Sequence, residues 1–301
     1  MKRNSRHLTS LVLLGIVTFS SLSTYFNMST VTAKADTVNS TISDEKGGTY
    51  WLTKEQKHRA EELTSVFENS TTELDYAYGE NLGDGRGITC GRAGFCTGTG
   101  DAILVVKKYT DKRPGNILSK YLPALTELEN NRIQTKHDQE DVSCLDKIGN
   151  FISDWATAAK DPDFRAIQDS VVDELYYIPS AKKADLLGLK LPLSRAELYD
   201  AIIQHGNEQN DLDSIDSLIA RATEISGGTP RSNVDEKVWL DNFLNIRKAC
   251  LSYCYKEGSR EEWADSFGRV DVFKKLVKDE NYYLDKSITI EGTNWDGMVV
   301  P

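Results

Sequence analysis

Between Phe67 and Asp101 the chain crowds its glycines together, in FENSTTELDYAYGENLGDGRGITCGRAGFCTGTGD, and sets Glu68, Asp84 and Asp101 among them. Glycine inside a regular element costs backbone entropy, so such a cluster marks tight turns or a backbone that something approaches closely. Short strands are therefore expected here, with Ile88 to Cys90 and Phe95 to Thr97 as arms about an Arg92 to Gly94 turn. The stretch follows a helix. Thr53 with Gln56 has the capping-box spacing, and Ala60, Leu63 and Phe67 recur at helical intervals until about Asn69.

From Ala102 onward the pattern is mainly helical. Helices are predicted at Ile103 to Tyr109, Ile117 to Glu129, Lys147 to Ala159, Pro162 to Tyr177, Ser180 to Leu187, Ser194 to His205, Ser214 to Ile225, Asp235 to Tyr255 and Asp265 to Asp279. Polar connectors run from about Glu129 to Asp146 and from Gly206 to Asp213, and no internal repeat is visible. This predicts an α+β fold, mostly α, with one small β-sheet in the N-terminal third.

The first 35 residues read as an export signal. Lys2, Arg3 and Arg6 precede an apolar run from Leu11 to Val17, and Ala33-Lys34-Ala35 forms a small-residue cleavage site before Asp36. That run is too short to span a bilayer and no later segment is apolar enough, so residues 36–301 are expected to be secreted and extracellular, with no membrane partner. Removing the signal takes away four basic residues and leaves 32 against 46 acidic ones, a net charge of −14 rather than −10. Such a surface repels nucleic acid and anionic lipid and attracts polycations, although many secreted proteins are acidic for solubility alone.

Five cysteines leave at least one unpaired. Cys90 and Cys96 could face each other across the hairpin, Cys144 could pair with either, and Cys250 with Cys254 reads as two buried thiols one helical turn apart. His7, His58, His137 and His205 are scattered, and no His or Cys spacing matches a metal site, so neither metal nor cofactor is expected. Nothing in the sequence suggests an oligomer, and a monomer is expected.

Two helices carry a charge where an apolar residue belongs. Arg247 falls on the stripe formed by Leu240, Phe243 or Leu244, Cys250 or Leu251, and Cys254. Asp200 falls on the stripe of Ala196, Tyr199 and Ile203, in a helix whose start reads as a Ser194 and Glu197 capping box. Buried charges need partners, which suggests that Arg247 and Asp200 meet; the alternative is that each snorkels at a boundary.

The acidic residues around the glycines suit glycoside hydrolysis, in which one carboxyl protonates the leaving oxygen and another activates water or attacks the sugar. Glu68 follows an apolar stripe, where desolvation would raise its pKa as an acid requires; Asp84, between Gly83 and Gly85 on a turn, would stay solvated and ionised. Taken alone, a Glu at a helix end and an Asp-Gly turn are also common surface features. A calcium loop fits poorly, because GDGRG lacks alternating oxygen ligands and a terminal Glu.

The run Glu68-Asn69, Tyr76, Asp84-Gly85-Arg86-Gly87-Ile88-Thr89, Ala93-Gly94 and Asp101 resembles the signature of the glycoside hydrolase family 46 chitosanases. The likeness continues through AAKDPDFRAIQD at Ala158 to Asp169, LYDAIIQHG at Leu198 to Gly206, FLNIRK at Phe243 to Lys248 and GRVDVF at Gly268 to Phe273. It implies a lysozyme-like, two-lobed fold with a small sheet beside the cleft, and inverting endo-hydrolysis of the β-1,4 bonds of chitosan. On matching positions, Glu68 resembles the general acid, Asp84 the general base and Thr89 the residue that helps hold the attacking water. Tyr78, Arg86 and Asp101 resemble cleft residues, Asp101 meeting a glucosamine ammonium, and Asp200, Arg247 and Arg269 resemble a buried charge network reaching Glu68. The chain departs from the pattern at Lys256 and Glu257, where family members carry a His near the cleft.

Overall fold

Thr53 starts the first helix as the sequence requires. Its Oγ1 accepts from Gln56 N at 3.2 Å and Gln56 Oε1 accepts from Thr53 N at 3.0 Å, so two orphan amides at the start of α1 (Lys54–Asn69) are satisfied reciprocally. The computed structural model describes residues 51–83, 87–135, 147–207, 211–255 and 260–301. Asp84, Arg86, Cys144, Lys256, Glu257 and the expected signal segment lie outside the described residues.

A three-stranded antiparallel sheet follows, in the order β1 (Gly79–Asn81), β2 (Ile88–Cys90), β3 (Phe95–Cys96). Its register pairs Thr89 with Cys96 and Cys90 with Phe95. Paired residues share a face and successive residues alternate, so Cys90 and Cys96 point to opposite sides of the sheet. Both are buried and they are not bonded to each other. The hairpin pairing that the sequence left open is therefore ruled out by the parity of the register.

The remainder is helical: α2 (Asp101–Lys112), α3 (Leu122–Thr135), α4 (Phe151–Ala158), α5 (Pro162–Val172), α6 (Ile178–Leu187), α7 (Pro192–His205), α8 (Ile215–Ser226), α9 (Glu236–Ser252), α10 (Arg260–Ser266) and α11 (Gly268–Lys278). A π-turn at Asp173–Tyr177 carries α5 into α6. The expected helix from Asp265 is two helices, divided at Phe267. A two-stranded hairpin, β4 (Ile288–Thr289) with β5 (Val299–Val300), was not foreseen, because two-residue strands give no periodicity to read. No described helix is long and apolar enough to cross a membrane.

Helix α7 corrects a second expectation. It begins at Pro192, whose ring presets the first helical φ, and the amides of Lys190 and Leu191 just before it are capped by the Glu236 carboxylate at 2.8 and 2.9 Å. Ser194 and Glu197 therefore lie inside the helix, fully buried, rather than capping it. The helix is enclosed nearly all round, so an amphipathic stripe describes it badly.

The core is continuous. Trp155 meets Phe95, Phe151 and Phe164 at centroid distances of 4.9 to 6.4 Å beneath the sheet, and Trp239 stacks on Phe243 between α8 and α9. Helix α1 packs on α7 between these centres, and Gln56 Nε2 donates to Tyr283 O at 2.8 Å, holding the C-terminal segment along it. Phe67 touches Phe273 and Trp295, so the residue before Glu68 is fixed from α11 and from the C-terminal loop. Gly268 opens α11 where a Cβ would sit 3.3 Å from Thr293 Cβ, so the C-terminal loop packs closely on the start of the helix that carries Arg269.

Candidate active site

Glu68 sits on the last turn of α1, with its side chain 12% exposed. Phe67 and Val66 bury the helix beneath it, and its Oε1 lies 2.8 Å from Arg269 Nη1. Burial raises its pKa above the ordinary carboxylate value; Arg269 and, more weakly, Arg247 oppose this, while Asp200 adds to it. The desolvation of the carboxylate outweighs its cationic neighbour.

Arg269 leads into a buried network. Asp200, fully buried on α7, accepts from Arg269 Nη2 at 2.7 Å and Nε at 3.0 Å, from Arg247 Nη2 at 2.6 Å and from Thr64 Oγ1 at 3.1 Å. Burial alone would raise the Asp200 pKa, but the two guanidinium groups overcome it and hold it at about 2. Arg247 also donates to Glu197 Oε1 and Gln204 Oε1, each at 2.8 Å, and reaches His205 Nε2 at 3.3 Å. Because that nitrogen accepts, the imidazole proton is on Nδ1, donated to Asp213 O at 2.9 Å. Burial and Arg247 push the His205 pKa well down, so the ring stays neutral. The two charges that break the helical stripes thus meet, with Arg269 as a third member.

The hairpin side is as crowded. Thr89 is fully buried at the centre of the sheet, and its Oγ1 lies 3.4 Å from Cys96 Sγ. Asp101 begins α2, and its Oδ1 accepts from Cys96 N at 2.8 Å, Thr99 Oγ1 at 2.7 Å and Ala102 N at 3.0 Å. It is therefore a structural cap between β3 and α2, and every described bond falls on Oδ1. Tyr78 is half-buried and donates its hydroxyl to Glu80 Oε2 at 2.9 Å; burial, reinforced by Glu80, pushes its pKa up to about 12. Gly87, at φ +83°, closes the approach to β2, and a Cβ there would collide with Thr97 Oγ1 at 2.3 Å.

Two groups went unrecognised in the sequence. Arg92, read only as a turn residue, is buried and forks to Glu61 on α1 at 3.2 Å and Asp169 on α5 at 3.0 Å, pinning the hairpin turn to the helix that carries Glu68. A recess of about 50 Å³ between them is lined by Glu61, Ser65, Glu68, Arg92 and Tyr199. Glu197 is the other, hidden by its capping-box spacing with Ser194. Its place three residues before Asp200, on the same helical face, was the available signal.

A helix-borne carboxyl raised by burial lies beside a glycine-rich hairpin within a mostly helical fold, the arrangement expected of a lysozyme-like glycoside hydrolase. The Glycosyl hydrolase family 46 model matches residues 62–288. A chitosanase of Bacillus subtilis (strain 168) is 46% identical over 249 residues, covering 83% of this chain and 86% of that protein. One of Streptomyces sp. (strain N174) is 40% identical over 199 residues, 65% of this chain and 66% of its own. Among solved structures, a mutant chitosanase from Bacillus subtilis MY002 complexed with 6 GlcN superposes with a TM-score of 0.73 at 44% identity, covering 83% of this chain and all of that one. A Gynuella sunshinyii GH46 chitosanase in complex with chitotetraose gives 0.70 at 41%, covering 83% of this chain and 99% of that one. The chain belongs to glycosyl hydrolase family 46.

Proposed function

We propose that this protein is a secreted, monomeric endo-chitosanase that hydrolyses the β-1,4 bonds between glucosamine units of chitosan with inversion at the anomeric carbon. Residues 36–301 form its catalytic domain and residues 1–35 its signal peptide. Glu68 protonates the leaving oxygen as general acid. Asp84 is the general base that takes a proton from the attacking water, and Thr89 helps to hold that water. Inversion needs room for the water, which calls for carboxyl groups roughly 6.5 to 9.5 Å apart.

The observation that carries this reading is Glu68 itself, a buried carboxyl whose pKa desolvation raises in spite of a contacting arginine. That balance suits a general acid, which must be protonated at working pH and still be able to release its proton. On this reading Arg86, Tyr78 and Asp101 contact the sugar chain, Asp101 meeting a substrate ammonium through the carboxylate oxygen that its capping bonds leave over. A polycationic polymer also suits an acidic protein, through long-range attraction as well as contact.

The experiment is hydrolysis of chitosans of graded acetylation, followed by the size of the products. An endo-chitosanase cuts the fully deacetylated polymer fastest and yields short oligomers from the outset. Faster cleavage of the most acetylated polymer, or release of single sugars only, would contradict the proposal.

A further inference from the structure

One half-buried indole touches the residue in front of each member of the Glu68–Arg269 pair. Trp295 lies in the turn between β4 and β5, and its ring meets that of Phe67 at a centroid distance of 5.1 Å. Phe67 immediately precedes Glu68 on α1. Trp295 Cζ3 is also 3.6 Å from where a Cβ on Gly268 would sit, and Gly268 immediately precedes Arg269 on α11. The two sides meet again at Phe67, because the Arg269 guanidinium carbon stands 5.2 Å from the centre of its ring. The quadrupole of an aromatic face attracts a cation placed over it. Trp295 therefore backs both the ring on which Arg269 rests and the backbone from which Arg269 departs.

Resting on the reading of Glu68 as the acid, we propose that Trp295 is a positioning residue for the reaction: packed against Phe67 and Gly268 together, it sets Glu68 and Arg269 against each other and so aims the acid at the leaving oxygen. The turn that carries it is closed by its own bonds. Gly297 N donates to Ile290 O at 2.9 Å, Gly292 N to Asp296 Oδ1 at 2.6 Å and Trp295 N to Thr293 Oγ1 at 3.3 Å. It is also tied on both sides: Asn294 Nδ2 donates to Asp265 O on α10 at 3.1 Å, and Arg59 Nε on α1 to Pro301 O, just past β5, at 2.5 Å. One rigid turn thus spans from α1 to the junction of α10 with α11. The Glu68 oxygen 2.8 Å from Arg269 Nη1 is Oε1, and that atom is buried, which leaves Oε2 for a proton bound for the substrate. A shift of Arg269 against α1 would let the carboxyl turn and lose that division of labour. A displacement of about 1 Å at a reacting group can cost about a hundredfold in rate.

Trp295→Ala removes both contacts, whereas Trp295→Phe keeps a ring against Phe67. On glucosamine hexamer, with each variant assayed well below its melting temperature, Trp295→Ala is expected to lower kcat by about tenfold or more and to change KM less than about twofold, because the indole acts on the acid and not on the sugar. Trp295→Phe should recover most of the loss. A residue that serves stability alone would lower the melting temperature and leave the kcat of the folded enzyme as it was. A double-mutant cycle checks that the effect runs through Glu68: in a Glu68→Gln background, Trp295→Ala should lower the remaining kcat by less than about twofold, since residues linked by contact are not additive. Wild-type kcat in folded Trp295→Ala, or a loss that adds in full to that of Glu68→Gln, overturns the proposal. If Trp295→Ala does not fold, Trp295→Leu takes its place with the same expectations, since it keeps apolar bulk but cannot reach from Phe67 to Gly268. Wild-type turnover in Glu68→Gln would sink the reading of Glu68 as the acid and this proposal with it, whereas an inactive Glu68→Gln beside a fully active Trp295→Ala sinks the proposal alone.

Discussion

Replacing Asp200 with asparagine keeps the shape of the side chain and removes its charge from between two buried guanidinium groups. Three contacts of 2.6 to 3.0 Å to Arg247 and Arg269 lose their ionic character, and the amide nitrogen must face a donor. Stranding a buried charge by removing its partner costs about 3 to 5 kcal/mol. Glu197 and Glu68 each still hold one arginine, which places the expected loss at the lower end of that range. Linkage gives a separate check. The Asp200 pKa is depressed from 3.8 to about 2 on folding, a contribution on the order of 2 kcal/mol to stability. A depressed carboxylate contributes fully above its unfolded pKa, so this part is present at neutral pH and disappears as pH falls from about 4 through about 2. At neutral pH a loss of about 3 kcal/mol in a domain this size lowers Tm by roughly 6 to 12 °C. Calorimetry and urea unfolding at pH 7 and pH 3 provide the assay, with the gap between wild type and Asp200→Asn narrowing at the lower pH. A variant that melts within about 2 °C of wild type at pH 7 would refute the view that this carboxylate holds the network together.

Other outcomes follow from the same geometry. Glu68→Gln and Asp84→Asn should each lower kcat by at least about a hundredfold with an unchanged circular dichroism spectrum, and near wild-type turnover in either would remove that residue from its role. Arg92→Met should destabilise the protein by about 3 kcal/mol in urea unfolding, because Glu61 on α1 loses a buried cation; an unaltered midpoint would mean the fork is idle. A non-reducing digest should contain no Cys90–Cys96 linked peptide, since the two side chains leave β2 and β3 on opposite faces. Detection of that peptide would contradict the register.

Much of this architecture is legible in the chain because local and tertiary demands agree. The glycines between Phe67 and Asp101 confine strand and turn to one place, and the Thr53 capping box fixes the start of α1. Arg247 and Asp200 stand out because a charge on an apolar stripe has few explanations other than a partner. The misses arise where two local patterns compete. Ser194 and Glu197 have capping-box spacing, but Pro192 starts the helix two residues earlier and turns both side chains inward. Arg92 looked like a turn residue because its partners, Glu61 and Asp169, lie 31 positions before it and 77 after it, beyond the reach of any periodicity. The two cysteines of the hairpin needed the register, which alternation in strands of two and three residues does not specify.

The central claim is that Glu68 and Asp84 work from opposite sides of the scissile bond with a water between Asp84 and the anomeric carbon. The most direct test is proton NMR of glucosamine hexamer during the first minutes of hydrolysis, before mutarotation mixes the anomers. The account predicts that the new reducing ends appear as the α-anomer and drift toward the equilibrium mixture. New ends that appear as the β-anomer would mean a retaining reaction, and would contradict it.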